Sequence, residues 1–170
     1  MSKRLLSIMI AALLLLVMAA PALAVPSAVT YGNTRSFLEA LDELELKYTY
    51  GGIDQDNDEK VTIETTLEDT DKSIEIFFYF SEDEELCSIR VWNLIDFDEE
   101  NLAELYKICN DLNAGYKYCK FYVDESDYSI SVDLDVILRS TDSGDICSEA
   151  LAHIYNICTY AMEDLSPYAK

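Results

Sequence analysis

The chain has 170 residues, with 33 acidic against 12 basic side chains and a formal net charge of −21. A field of that sign repels both nucleic-acid phosphates and an anionic membrane surface, so neither is expected as a partner, and a charged partner should be cationic. The length suits one domain after any leader is removed.

Lys3 and Arg4 precede an apolar run from Leu5 to Ala20, and Ala22, Leu23 and Ala24 have the small-x-small form of a signal-peptidase site. This predicts a secretory signal peptide over residues 1–24, cut after Ala24. The competing reading is a retained anchor, since the run approaches the length of a membrane span. The cleavage site favours removal, which implies an exported protein, secreted or in the cell envelope, without membrane contact afterwards. Losing Lys3 and Arg4 leaves 10 basic residues against 33 acidic ones, a net −23.

Residues 25–33 read as a mobile polar lead, and a single domain is expected over 34–166. Asn33 or Thr34 can cap a first helix running to about Leu46, with Phe37, Leu38, Leu41 and Leu44 on one face. Lys47 to Glu59 is irregular and contains Gly51, Gly52 and an acidic run. Three strands follow. Val61, Ile63, Thr65 and Leu67 share one parity. Ile74, Ile76, Phe78 and Phe80 face inward, with Glu75, Phe77 and Tyr79 outward. Cys87, Ile89 and Val91 oppose Ser88, Arg90 and Trp92.

Asp98 can cap a second helix, striped by Leu102, Leu105, Cys109 and Leu112 and ended by a left-handed Gly115. A hairpin from Lys117 to Leu138 comes next. Cys119, Phe121 and Val123 point inward, as do Tyr128, Ile130, Val132, Leu134, Val136 and Leu138, while Tyr118, Lys120 and Tyr122 point outward. The last helix opens near Ser143 or Asp145 and carries a seam of Cys147, Leu151, Ile154, Cys158, Ala161 and Leu165. The predicted fold is α+β in the order helix-βββ-helix-ββ-helix, a five-stranded antiparallel sheet with helices packed mainly on one face.

Five cysteines is an odd number for an exported chain, and every one falls on an apolar stripe. Cys147 and Cys158 lie about 16 Å apart along one helix, too far to pair with each other. Small buried hydrophobes are the main expectation. A disulfide from a helix cysteine to Cys87 or Cys119 stays open.

The segment LYKICNDLN from Leu105 to Asn113 and the segment KFYVDE from Lys120 to Glu125 carry a family likeness, joined by the strand from Ile130 to Leu138 and the final helix. They resemble the YbjN-like family of bacterial sensory-transduction regulators, from about Thr34 to Leu165. That resemblance implies a fold like that of type III secretion chaperones, among which dimers are usual. It implies no known reaction and no catalytic residues. The leader departs from chaperones that act in the cytoplasm.

Enzymatic chemistry has little support in the residues. No Gly-x-Ser-x-Gly elbow and no glycine-rich phosphate loop occur, and His153 is the sole histidine. No cofactor and no metal site is expected. Asp54, Asp56 and Asp58 have the spacing of a calcium loop, but Glu59 and Thr65 stand where that loop needs Gly and a bidentate Glu. The candidate site is instead the outward parity of the sheet, where Phe77, Tyr79, Trp92, Tyr118 and Tyr122 form a face for another polypeptide. A second copy of the chain or an extended peptide would occupy it. The alternative is an acidic envelope protein that binds an ion or small ligand.

Overall fold

Alternating apolar residues make one greasy sheet face, and three amphipathic helices in the sequence supply its cover. The structure, a computed structural model, describes residues 25–139 and 142–170. The predicted signal peptide over 1–24 lies outside the described residues. Helix α1 spans Gly32–Glu43. Strands β1 (Thr49–Ile53), β2 (Glu59–Thr66), β3 (Ser73–Phe80) and β4 (Leu86–Asp96) follow. A short 3-10 turn at Glu99–Asn101 leads into helix α2 (Leu102–Gly115), then β5 (Cys119–Asp124), β6 (Ser129–Ile137) and helix α3 (Ser143–Leu165). The fold is α+β, and every strand pairing is antiparallel in the order β1-β2-β3-β4-β6-β5.

The sheet therefore has six strands where five were expected. The added strand is β1, at the edge beside β2. Its register shifts between Tyr50 and Gly52, and Gly52 takes a φ of +78°. Two adjacent glycines and a bulge erase the period-two signal that marks a strand. Pairing with β2 overrides the poor local propensity.

The inner face is nearly dry. Val61, Ile76, Phe78, Phe80, Cys87, Ile89, Val91, Ile130 and Val132 have no exposed surface. From α1, Phe37 sits with its ring centroid 4.5 Å from that of Phe78 and 5.7 Å from that of Phe80. All six residues of the α3 seam are at most 2% exposed. The Tyr155 hydroxyl of α3 accepts the Glu68 amide at 3.1 Å and donates to the Thr66 carbonyl at 3.3 Å, clamping the β2–β3 turn. Where α3 begins, a Cβ on Gly144 would come 2.6 Å from the Ser36 carbonyl oxygen, so only glycine allows α1 and α3 to approach this closely.

The start of α1 departs from the predicted cap. Asn33 and Thr34 lie inside the helix, and Tyr31 precedes it. No local side chain caps the free amides. Two distant carboxylates do so instead. Glu59, at the start of β2, accepts the Thr30 and Tyr31 amides at 2.6 and 3.0 Å and the Tyr50 hydroxyl at 2.8 Å. Glu84 accepts the Asn33 amide at 3.0 Å, and the Asn33 side-chain amide donates to the Glu84 carbonyl at 2.5 Å. Negative charge here meets the positive end of the helix dipole. These bonds anchor the lead segment, in which Val29 and Tyr31 are buried.

Two further local departures matter. In β4, Val91 pairs with Val132 and Ile95 with Ile130, so β4 carries two more residues than β6 across that interval. Asn93 takes a φ of +52° in the bulge. Its amide donates to Ser131 Oγ at 3.1 Å, and Ser129 Oγ donates to its side-chain oxygen at 3.2 Å. Ser129 and Ser131 are thereby buried, although alternation put them in water. At the opposite edge, Asn113 near the end of α2 takes both outward backbone groups of Phe121 in β5. It donates to the carbonyl at 2.9 Å and accepts the amide at 2.7 Å. Helix α2 ends without a left-handed glycine. Tyr116 is its C-cap, and its amide reaches the Leu112 carbonyl at 2.8 Å.

Candidate interaction face

Outward parity collects Lys60, Thr62 and Glu64 of β2, Glu75, Phe77 and Tyr79 of β3, Leu86, Ser88 and Arg90 of β4, Asp133, Asp135 and Ile137 of β6, and Lys120 and Tyr122 of β5. The pairings set their order across the face. Thr62 meets Phe77, which meets Arg90, which meets Asp133, which meets Lys120.

The five predicted residues do not form one patch. Phe77 and Tyr79 come together, half-buried and stacked with centroids 6.3 Å apart. The Lys60 ammonium caps the pair, 4.4 Å from the Phe77 centroid and 5.8 Å from that of Tyr79. A cation over stacked rings is worth about 0.5–1 kcal/mol at such partly wet sites. Trp92, 46% exposed, lies in the β4 bulge, and the half-buried Tyr122 pairs with Ser131. Tyr118 leaves the face. Strand β5 begins one residue later, and Tyr118 takes a φ of +68° and is 82% exposed. That left-handed conformation breaks the pleat, so strand parity stops applying to it. Tyr128 behaves likewise, with a φ of +56° just before β6, its ring edge-on to Phe97 at 5.9 Å.

Charge divides the rings. The Arg90 guanidinium lies 2.9 Å from Asp135 Oδ1 and 3.3 Å from Asp133 Oδ1, between the Phe77–Tyr79 pair and Tyr122. Burial raises the Asp133 carboxyl above its usual range, against the pull of Arg90 and Lys120. Burial also opposes ionisation of Asp135, but its hydrogen bond and charge contact with Arg90 carry that carboxyl below its usual range.

Two apolar residues extend the ring pair instead. Leu86 pairs with Ile137 on the same face, 37% and 79% exposed. Tyr79 pairs with Ser88, which puts Leu86 on the diagonal from Tyr79, a separation of about 7 Å in such ladders. Phe77, Tyr79, Leu86 and Ile137 therefore make a bent strip. The alternation that set Cys87 and Val136 inward already implied Leu86 and Ile137 outward, but neither is aromatic.

The remaining candidates are accounted for locally. Asp54 Oδ1 accepts the amides of Asp56 at 2.9 Å and Asp58 at 3.1 Å, closing the acidic turn on itself. Among the described residues, no group of three His, Cys, Asp or Glu side chains is placed to hold a metal ion. His153 is exposed on α3. Burial, then the charges of Asp54, Asp56 and Asp83, raise the Asp58 carboxyl. The folded state thus keeps this proton to higher pH than the unfolded chain, and stability falls as pH rises from the ordinary carboxyl value of 3.8 through the raised one. Asp58→Asn should make the protein more resistant to urea at pH 7, with the gain disappearing near pH 3. Urea midpoints at the two pH values check this.

All five cysteines are free and buried. Burial pushes the Cys87 thiol well up, and lifts those of Cys109 and Cys119 to about 11. Thiols of that kind are poor nucleophiles.

The model of the YbjN family, described as "Putative bacterial sensory transduction regulator", matches residues 36–155. The chain belongs to the YbjN family. The matched span runs from inside α1 to the Tyr155 clamp in α3, and so includes the whole YbjN sheet. Among solved structures, the chain is similar to "Crystal structure of YbjN, a putative transcription regulator from E. coli", with 10% identity, a TM-score of 0.50, and coverage of 78% of this chain and 91% of that one. At that identity the likeness to YbjN concerns the fold alone. No curated protein matched the sequence. The Asn113–Phe121 lock joins the two YbjN-like segments quoted from the sequence, since Asn113 closes the first and Phe121 is the second residue of the other.

Proposed function

We propose that this YbjN-family protein is an exported, non-enzymatic module that binds another polypeptide through the outer face of its sheet, with a second copy of itself as the occupant. The observation that carries this reading is the bent strip of Phe77, Tyr79, Leu86 and Ile137. It lies on the face opposite the one that Phe37 and the α3 seam cover. Apolar surface of this kind gains by being removed from water, at about 25 cal/mol per Å².

Charge supports a second copy. The outward strand positions hold three basic residues (Lys60, Arg90, Lys120) and six acidic ones (Glu64, Glu75, Asp96, Asp124, Asp133, Asp135), a net −3 out of the chain's −21. Two such molecules repel over most of their surfaces and least across this face. Paired ions at its centre also give register to a two-fold contact.

Sedimentation equilibrium of the purified protein at micromolar concentration tests the proposal. A dimer is expected, and it should become a monomer in the double variant Tyr79→Glu with Ile137→Glu without loss of the native circular-dichroism spectrum. A wild-type monomer over the same range would overturn the self-association reading. Cell fractionation tests export, since unprocessed protein held in the cytoplasm would contradict it.

A further inference from the structure

We propose that an opening inside the sheet, between the first half of β3 and the far half of β4, takes a short extended segment of a partner chain that carries a lysine or arginine. The inference is independent of the bent strip. Strand β3 pairs with β2 along its whole length, from Ser73 to Phe80. With β4 it pairs only over residues 77–80. Among the described residues, no strand pairs with residues 73–76 on that side. The β4 bulge is the cause. It carries Trp92, Asn93 and Leu94 past Ser131 alone, and the strand emerges from it on a new line.

The chain itself shows that the vacated edge of β4 accepts an extended segment. After α3, a 3-10 turn at Ser166–Tyr168 returns the backbone to the sheet. Ala169 forms an antiparallel bridge with Phe97, and the Lys170 amide donates to the Asp96 carbonyl at 2.9 Å. The Phe97 amide donates to the Tyr128 carbonyl, toward β6. That amide and the Asp96 carbonyl belong to one trans peptide and point in opposite directions. The Asp96 carbonyl therefore points away from β6, into the line that β3 has left. The seated segment is basic, with Lys170 Nζ 3.3 Å from Asp98 Oδ1. It covers only the outer end of the edge. Among the described residues, 92–95 have no strand on the same side.

The side chains around the opening set the charge of the occupant. Phe77 pairs with Arg90, and the antiparallel register carried two residues further sets Glu75 against Trp92. On its other side Glu75 pairs directly with Glu64, and both are exposed. Like charges directly opposed in a ladder are unfavourable, and a cation beside them relieves the repulsion. The half-exposed Trp92 offers a ring face, the side-chain surface that attracts a cation best. Arg90, one row away, is held by Asp133 and Asp135 on the β6 side. A basic side chain on the outward side of an inserted segment meets Glu75 and Trp92 together, while its backbone pairs with residues 73–76. The opening lies between two strands, so it admits one short segment and adds no outer border to the sheet.

The test uses a short fluorescein-labelled peptide of alternating valine and lysine, read by fluorescence anisotropy, with a valine–glutamate peptide as its counterpart. The lysine peptide should bind and the glutamate peptide should not. Amide hydrogen exchange should show new protection within residues 73–76. Glu75→Lys and Trp92→Ala should each weaken binding about tenfold. Glu149→Lys, an equal charge change at an exposed position on α3, should leave it within about twofold. The double variant Tyr79→Glu with Ile137→Glu should bind the peptide no more weakly than wild type, which separates this result from the fate of the self-association reading. No binding at millimolar peptide, equal binding of both peptides, protection confined to β1, or equal losses in Glu149→Lys and Glu75→Lys overturns the proposal.

Discussion

Phe37→Ala should lower the unfolding free energy by about 4 kcal/mol, measured by urea denaturation. The ring has no exposed surface and sits against both Phe78 and Phe80. Its removal leaves a void between α1 and the middle of the sheet. The neighbours cannot collapse into it readily. Phe78 and Phe80 are fixed by strand pairing, and the contact of Gly144 with Ser36 sets the spacing between α1 and α3. A domain of ordinary stability has roughly 5–15 kcal/mol in total, so this one change should shift the urea midpoint well outside experimental error. Phe37→Leu, which refills most of the volume, should recover more than half of the loss. An Ala variant within about 1 kcal/mol of wild type would show that α1 does not dock on the sheet as described.

Glu59→Ala is the second large effect, at about 3 kcal/mol. The carboxylate is fully buried and accepts three hydrogen bonds, from the Thr30 and Tyr31 amides and the Tyr50 hydroxyl. Removing it leaves two amides unpaired just before α1 and frees the lead segment. Tyr50→Phe removes only one of the three bonds and should cost about 1 kcal/mol. Amide hydrogen exchange gives a sharper readout than stability alone. Thr30 and Tyr31 should exchange much faster in Glu59→Ala, with little change in the amides of β5 and β6. Uniform loss of protection across the sheet would assign Glu59 a global role instead.

The sequence made the inner layer legible because its residues obey a period set by geometry alone. Val61, Ile63, Ile74, Ile76, Phe78, Phe80, Cys87, Ile89 and Val91 are all buried where alternation placed them, and the α3 seam reads off a spacing of three and four. What stayed hidden depends on contacts between distant residues. Strand β1 is invisible because Gly51 and Gly52 carry no pattern, and only pairing with β2 defines it. The caps of α1 come from Glu59 and Glu84, 28 and 53 residues beyond Tyr31, which no local cap rule finds. The buried Ser129 and Ser131 depend on the Asn93 bulge across the ladder.

The candidate face was half legible for a related reason. Parity says which side of a sheet a ring occupies, but only register says what lies beside it. Register puts Arg90, Asp133 and Asp135 between Tyr79 and Tyr122, which splits the predicted aromatic set. It also brings Leu86 and Ile137 alongside Tyr79. A search limited to aromatic residues passes over those two, although the alternation that placed Cys87 and Val136 contained them.

The amide of Asn113 gives Phe121 what a neighbouring ribbon would otherwise provide. With β5 occupied at its middle residue, β1 is the border left for strand addition. Molecules with one usable border can join in twos, but a third has nowhere to add. Growth into cross-β fibrils needs two such borders on every unit, so a single asparagine limits runaway stacking.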